Sequence, residues 1–327
     1  MSEAVSEAVS RFETAGFFPR GMNPWYAKIC AMSQERRALD ANAFAVMIAL
    51  TALWGFQQVT IKWIAADVSL VAQAGIRSIV ATVLLLAWAR VARQSLFEKD
   101  ATLAAGIAAG LLFAFEFVFI YGGLAHTNAS RMSVFVYLAP PLTALGLHFF
   151  VAGERLGVRQ WLGVALAFGG LVLAFAEGFS AGRSSTWIGD FCGLLAAILW
   201  AATTVLIRAT NLARVSAAKT LFYQLAVSAL ALPVASFLLG EKGVSAVNGL
   251  VLASLAYQAI LVAFASYLAW SWLLTRYLAA RISVLSFLTP LFGMVFGVVF
   301  LSEPLSAHFA AAAMLIAAGI ALVNFRG

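Results

Sequence analysis

Charged residues are scarce in this sequence. Only 11% of the 327 residues are Asp, Glu, Lys or Arg, whereas 63% are hydrophobic, and the mean hydropathy is +0.94. So few polar side chains cannot coat a soluble protein of this size. The chain is therefore predicted to be a multi-span membrane protein embedded in the lipid bilayer.

The sequence also lacks the motifs of several protein classes. Its two cysteines, Cys30 and Cys192, give no disulfide framework. Neither HExxH, paired aspartates nor a GxxxxGK[ST] loop is present, so we expect no metal, no cofactor, no catalytic residues and no ATP-driven pumping. Residues 1–40 contain no apolar segment of a signal peptide and are predicted to form a poorly ordered cytoplasmic tail, with Met32 as an alternative start.

Long apolar runs separated by charge, glycine and proline predict ten transmembrane helices. The runs do not alternate with polar residues, which favours helices over a β-barrel, because a helix satisfies its own backbone hydrogen bonds in lipid. The predicted helices 1 to 10 cover 41–62, 70–90, 102–124, 130–151, 158–176, 190–209, 217–239, 249–275, 280–301 and 307–325.

The distribution of Lys and Arg predicts the orientation of these helices. If the N-terminus is cytoplasmic, sixteen Lys and Arg residues lie in cytoplasmic segments and four lie outside, namely Lys62, Arg131, Arg183 and Lys242; Arg77 is intramembrane. Cytoplasmic loops of membrane proteins are enriched in these residues, so both termini are predicted to be cytoplasmic. Orientation thus accounts for the net charge of +7, and we expect no nucleic-acid partner.

The chain contains an internal duplication. Residues 129–142 and 279–292 share six of fourteen positions at an offset of 150, and residues 53–62 resemble 199–208 at an offset of 146. The repeats are predicted to be 41–176 and 190–325, with five helices each. Because five is odd, the second repeat must enter the membrane in the opposite direction. Inverted repeats commonly underlie alternating-access transporters, whose cargo site lies near the midplane.

These segments resemble the drug/metabolite transporter superfamily, in particular its EamA-type ten-helix exporters and, more loosely, the YddG-type amino-acid exporters. The resemblance covers about 40–327. The residues that carry it are Leu53, Trp54, Gly55, Arg77, the Ala-x-Arg-x-Ser-Val and proline segments at 129–140 and 279–290, Glu154 and Leu156 with Glu303 and Leu305, Gly170 and Gly319. The resemblance implies a multi-pass exporter of the bacterial inner (plasma) membrane, with both termini cytoplasmic.

Two duplicated helices predict a cavity lining. In helices 1 and 6 a tryptophan is followed by polar residues at i+3 and i+4, which places the ring and the polar groups on one helical face. Such a face should point into the bundle or a wet cavity; interhelical hydrogen bonding without a ligand is the alternative. The predicted substrate cavity consists of Trp54, Gln57, Gln58, Glu116, Tyr121, Trp200, Thr203, Thr204, Tyr257 and Tyr267.

Two charges and three prolines within the predicted membrane helices have alternative interpretations. Glu116 suits proton coupling or amine binding, or it pairs with a structural cation such as Arg77. Arg77 is predicted to be structural or gating, although a buried guanidinium also suits a carboxylate. Pro140, Pro141 and Pro290 remove backbone hydrogen bonds in helices 4 and 9 and are predicted to act in gating, with a static kink as the alternative.

We therefore expect a secondary transporter that exports small metabolites by alternating access. The most favoured cargo is amino acids, including aromatic and neutral ones. A protein that exports hydrophobic or cationic drugs is the nearest alternative, and an integral membrane enzyme acting on lipid is an alternative from another class. Protons are a candidate coupling ion, and a monomer is sufficient for this function.

Overall fold

The structure is a computed structural model that describes residues 39–124, 126–127, 129–151, 153–176, 187–302 and 308–324. The predicted tail, apart from its last two residues, lies outside the described residues, as do Arg183, Glu303 and the side chain of Arg131. Within the described ranges the regular structure is helical, apart from an isolated bridge between Val68 and Val244.

Ten membrane helices, α1 to α10, follow one another in the described part of the chain. Eight are long and apolar enough to span a bilayer, and two further apolar helices, α5 and α10, are shorter. The bounds are α1 Ala41–Trp63, α2 Leu70–Val91, α3 Leu103–Leu124, α4a Ala129–Val136 with α4b Ala139–Phe150, α5 Val158–Ala174, α6 Trp187–Ala209, α7 Ala217–Leu238, α8 Gly249–Arg276, α9a Ala279–Leu285 with α9b Leu288–Leu301, and α10 Phe309–Asn324. The expected all-α membrane fold is confirmed.

Helices α4 and α9 are each broken at equivalent positions. The spans predicted over 130–151 and 280–301 are present, and the kink expected in each is a full break, because the regular helix stops after Val136 and again after Leu285. Pro140 and Pro141 occupy the first turn of α4b, where a missing N–H costs no hydrogen bond. In the break of α9 the N–H of Ser286 donates to the carbonyl oxygen of Ser283 at 3.1 Å, a tighter turn than that of an α-helix.

Helix α8 contains a π-helical stretch that the sequence pattern does not reveal. Regular α-helix occupies Gly249–Ala256 and Tyr267–Arg276, and Tyr257–Ser266 between them is wound more widely. Stretches of this kind are rare and occur frequently at functional sites. Of the residues that follow it, Tyr267, Trp270, Ser271 and Leu274 face the interior of the bundle.

The two repeats are interleaved. Helix α1 of the first repeat packs against α8 and α9b of the second, and α6 of the second packs against α3 and α4 of the first. Equivalent helices meet in the pairs α2 with α7 and α5 with α10. Every helix of one repeat therefore completes its packing with helices of the other, and the space between them becomes the centre of the protein.

Glycines allow the close approach of α5 and α10. A Cβ on Gly163 would lie 2.7 Å from the carbonyl oxygen of Gly319, and a Cβ on Gly170 would lie 2.9 Å from that of Ala312. Small residues of this kind bring helix backbones into contact in membranes.

We therefore expect Gly319→Val to lower the free energy of unfolding by about 1–3 kcal/mol, the usual cost of overpacking. Gly169→Val on α5 is the matched control, because a Cβ there meets no atom within 4 Å. The apparent melting temperature in detergent, followed by fluorescence-detected size-exclusion chromatography, measures both effects. An equal shift in the two variants would contradict the proposed contact.

Candidate functional site

A cavity of about 410 Å³ lies in the middle of the bundle, between helices of both repeats. The structure brings nine of the ten predicted cavity residues together around it: Trp54, Gln57, Gln58, Glu116, Tyr121, Trp200, Thr203, Thr204 and Tyr267. The volume falls within the range of roughly 300–1,000 Å³ that is common for small-molecule sites. That these side chains contact a cargo stays a prediction.

Tyr257 does not line the cavity, so its assignment to the lining was wrong. Its hydroxyl donates a hydrogen bond to the carbonyl oxygen of Leu53 at 3.0 Å, and its ring meets the ring of Phe56 edge to face with the centroids 5.2 Å apart. Tyr257 therefore joins α8 to α1.

Two tryptophans form aromatic parts of the cavity wall. The indole N–H of Trp54 donates to the hydroxyl of Ser266 at 2.8 Å, and its ring meets Trp270 edge to face at 5.8 Å. Trp200, the repeat counterpart of Trp54, meets Tyr137 in the same geometry at 5.7 Å. Because these rings are held by one another, they present a preorganised apolar surface to a bound molecule.

The Gln and Thr side chains that line the cavity form no hydrogen bonds between helices in the described part of the chain. The hydroxyls of Thr203 and Thr204 donate within α6, to the carbonyl oxygens of Leu199 and Trp200. The carboxamides of Gln57, Gln58 and Gln224 make no hydrogen bond with another side chain or backbone group among the described residues, and all three line the cavity. These amides have donors and acceptors available for a ligand or for water.

Arg77 and Glu116 face the same cavity. They are 2% and 6% exposed, and the guanidinium carbon of Arg77 lies 4.5 Å from the ring centroid of Phe117. Neither side chain forms an ion pair or hydrogen bond with the other or with any other residue that the structure describes. The alternative in which Glu116 pairs directly with Arg77 is thus not found, although the two charges attract each other through space.

The two ends of the cavity differ. At one end, which we call the Lys62 end, the lining includes the exposed residues Lys62 and Ala65. At the other end, the Arg208 end, it stops at buried residues such as Ile207 and Leu274. The cavity is therefore open toward the Lys62 end.

A buried ion pair closes the Arg208 end. Arg208, at the end of α6, pairs with Glu154 in the loop after α4b, and their side chains are only 1% and 0% exposed. The Glu154 carboxylate also accepts hydrogen bonds from the backbone N–H groups of Ala279 and Ala280, at 3.1 and 3.2 Å. Arg208 donates to the carbonyl oxygen of Leu274 at 3.2 Å. One carboxylate thus joins α4, α6 and α9.

Sequence reasoning missed several of these residues. Glu154 was one of the residues that carry the family resemblance, and Arg208 belongs to the duplication of helices 1 and 6, but neither pattern predicted their contact. Gln224 aligns with Arg77, which marks it as a lining candidate. Tyr137 lies inside the break of α4, where helical periodicity no longer predicts which way a side chain points. Among the described residues, no group of three or more His, Cys, Asp and Glu side chains could hold a metal ion.

Comparisons with known proteins agree with this architecture. The model of the EamA-like transporter family matches residues 42–176 and again residues 187–325, which confirms the two repeats. The uncharacterized transporter YoaV of Bacillus subtilis is 23% identical over 280 residues, which cover 85% of this chain and 95% of the relative.

A protein of Salmonella typhimurium named a probable amino-acid metabolite efflux pump is 28% identical over 222 residues, which cover 64% of this chain and 73% of the relative. One crystal structure, 21% identical in sequence, matches with a TM-score of 0.73 over 86% of this chain and 97% of that one. This likeness shows that the two chains share the fold.

Proposed function

Because this chain belongs to the EamA-like transporter family, we propose that it exports small metabolites, amino acids above all, across the bacterial inner membrane by alternating access. The observation that carries the proposal is the central cavity, which is open at the Lys62 end and closed at the Arg208 end. A path that is open on one side only suits a transporter and does not suit a channel.

The orientation follows from the excess of Lys and Arg in the loops of one side. With both termini cytoplasmic, the Lys62 end faces outward and the Arg208 end faces the cytoplasm. The structure would then be the outward-open state, from which an exporter has released its cargo. The repeats 41–176 and 190–325 are our proposed units of duplication.

The chemistry of the lining supports a small polar cargo with an apolar part. Free carboxamides offer neutral hydrogen bonding, and the tryptophan and tyrosine rings offer apolar contact. A doubly anionic cargo would require several buried cations, and Arg77 is the one cation buried in the lining among the described residues. Relatives named as amino-acid metabolite efflux pumps point to the same cargo class.

Efflux from proteoliposomes tests the proposal. Vesicles loaded with labelled phenylalanine, threonine or methionine should lose label faster with the protein than without it. A pH gradient that changes the rate would make protons the coupling ion. If none of the three leaves the vesicles faster, amino-acid export is ruled out as the function under these conditions.

A hydrophobic or cationic drug as cargo is the second candidate. The cavity combines aromatic rings with the Glu116 carboxylate, a combination that binds organic cations. Lipophilic cations that are transported in the same vesicles, in the absence of amino-acid flux, would favour it. Turnover of lipid without movement of any solute would favour a membrane enzyme instead.

We propose that the breaks in α4 and α9 are hinges. In α9 the N–H of Thr289 donates to the carbonyl oxygen of Ser286 at 2.9 Å, and the proline at position 290 has no N–H with which to rebuild the regular turn. Equivalent breaks in inverted helices let one end open while the other closes.

Pro290→Ala should restore a continuous α9 and lower the maximal efflux rate by roughly tenfold, which corresponds to about 1.4 kcal/mol on the barrier. The cargo concentration for half-maximal efflux should change little, because the lining stays the same. Pro233→Ala is the control, since this proline lies inside α7, away from both breaks. Weaker binding at an unchanged maximal rate would contradict a hinge.

A further inference from the structure

We infer that Arg77 and Glu116 form a split site for a zwitterion, in which Arg77 binds a carboxylate and Glu116 binds an ammonium group. This inference rests on the proposed function and goes further, because it assigns the two ends of the cargo's charged head to two side chains. The site lies between α2 and α3 on the wall of the central cavity.

The first argument is the cost of buried charge. Ionised side chains inside a membrane protein are expensive unless they are paired or solvated. Arg77 and Glu116 are both nearly fully buried, yet neither has an ion-pair or hydrogen-bond partner among the described residues. The two charges attract each other through space but share no hydrogen bond. Their side chains line the cavity, so their hydrogen-bonding partners come from its contents.

The second argument is charge balance. Because Arg77 and Glu116 together add no net charge to the cavity, a bound cation or a bound anion would leave this buried site with a net charge. A neutral solute would form no ion pair with either group. A molecule that carries both charges a few ångströms apart, as an α-amino acid does, compensates both at once.

The third argument is the way Arg77 is held. Its guanidinium carbon lies 4.5 Å from the ring centroid of Phe117, so one face of the group rests against an aromatic ring. The N–H edge of the guanidinium stays available, and that edge is the part that binds a carboxylate through two parallel hydrogen bonds. Phe117 therefore preorganises Arg77 for an anion.

The fourth argument is the asymmetry between the repeats. The counterpart of Arg77 is Gln224, which lines the same cavity without a charge. The charged groups thus belong to one side of the cavity, while Trp200 and Tyr137 face it from α6 and α4. This arrangement fits a cargo with a charged head and an apolar side chain.

The experiment compares phenylalanine with two analogues that each lack one charge. Phenylalaninamide has no carboxylate, and 3-phenylpropionate has no ammonium group. Each is tested as a competitor of labelled phenylalanine efflux and as a stabiliser of the detergent-solubilised protein against heat. In the unmodified protein each analogue should compete about 10- to 100-fold more weakly than phenylalanine, the effect of one lost charged hydrogen-bonding partner.

Two variants separate the roles. In Arg77→Gln, phenylalaninamide should bind as well as phenylalanine, while 3-phenylpropionate stays weak. In Glu116→Gln, 3-phenylpropionate should bind about as strongly as phenylalanine, while phenylalaninamide stays a weak ligand. Arg276→Gln is the matched control, because Arg276 also lies over an aromatic ring, that of Trp272 at 4.8 Å, but is exposed and outside the cavity lining. Its pattern should equal that of the unmodified protein.

Arg77→Lys and Glu116→Asp keep each charge and should keep the order of the three ligands, which separates recognition from loss of the fold. Equal losses for all three ligands in a folded Arg77→Gln or Glu116→Gln protein would overturn the inference. So would an unmodified protein that transports phenylalanine but does not distinguish it from the analogues, and this outcome leaves the proposed function intact. Absence of both phenylalanine flux and phenylalanine binding would overturn both.

Discussion

Replacing Glu154 with alanine should remove most of the transport activity and lower the stability of the protein strongly. The change leaves the Arg208 guanidinium buried without its counter-ion and frees the N–H groups of Ala279 and Ala280. Removal of one partner from a buried ion pair typically costs about 3–5 kcal/mol. Because this carboxylate joins three helices at one end of the cavity, its loss should also leave that end open.

Asp100→Ala provides the comparison. Asp100 also pairs with a basic side chain, Lys219 at 2.8 Å, but Asp100 is 30% exposed, and pairs in contact with water contribute little. When Asp100 is replaced, the buried Lys219 ammonium keeps a second partner, the carbonyl oxygen of Glu98 at 2.8 Å. Apparent melting temperatures in detergent and efflux rates from proteoliposomes should therefore fall far more for Glu154→Ala than for Asp100→Ala. Similar values for the two variants would mean that the Glu154 contacts do not hold the closed end.

Ser133→Trp should abolish efflux while the protein stays folded. Ser133 lies in α4a and lines the cavity, and its side chain makes no hydrogen bond with a described residue, so little is lost when it is replaced. An indole at this position would project into a space of about 410 Å³ and exclude the cargo. The expected result is efflux close to that of empty vesicles, with a melting temperature near that of the unmodified protein.

Ser133→Ala is the matched control and should keep most of the activity, because it removes only a hydroxyl. Both variants need to be quantified in the vesicles, so that flux is compared per protein molecule. Efflux through Ser133→Trp at the unmodified rate would show that the cargo takes another path and would contradict the assignment of the central cavity.

Much of the fold could be predicted from the sequence, because membrane helices can be recognised from the length and hydropathy of their apolar runs. The duplication of 129–142 at 279–292 then gave two repeats of five. What the pattern did not predict was local backbone geometry. Prolines indicated a kink in α4 and α9. The tighter turns around Leu138 and Ser286 depend on which N–H groups donate to the backbone carbonyls at the break, and the sequence does not predict this. The π-helical stretch of α8 leaves the run of apolar residues unchanged, so hydropathy cannot detect it.

The candidate site was predictable where regular helices carry it. Gln57 and Thr203 follow a tryptophan at a spacing that fixes a common face, and both line the cavity. Prediction failed for Tyr257, because its hydroxyl donates a hydrogen bond to a carbonyl oxygen on another helix. Such a tertiary contact cannot be recognised from the sequence of one helix alone. The Glu154 contacts were missed for the same reason, since they join residues that are far apart in the chain.

The interleaved repeats also set an order for biosynthesis. Gly55 of α1 packs directly on Phe292 and Gly293 of α9b, about 240 residues further along the chain. At a synthesis rate of about 5–20 residues per second, α1 waits roughly 12–50 s in the membrane before its partner leaves the ribosome. During that time Gln57 cannot yet lie in the finished cavity, and its carboxamide faces lipid, water or the insertion machinery. The first repeat is therefore an assembly intermediate that depends on the ribosome reaching the second, and premature termination between the two should yield a species recognised by membrane quality control.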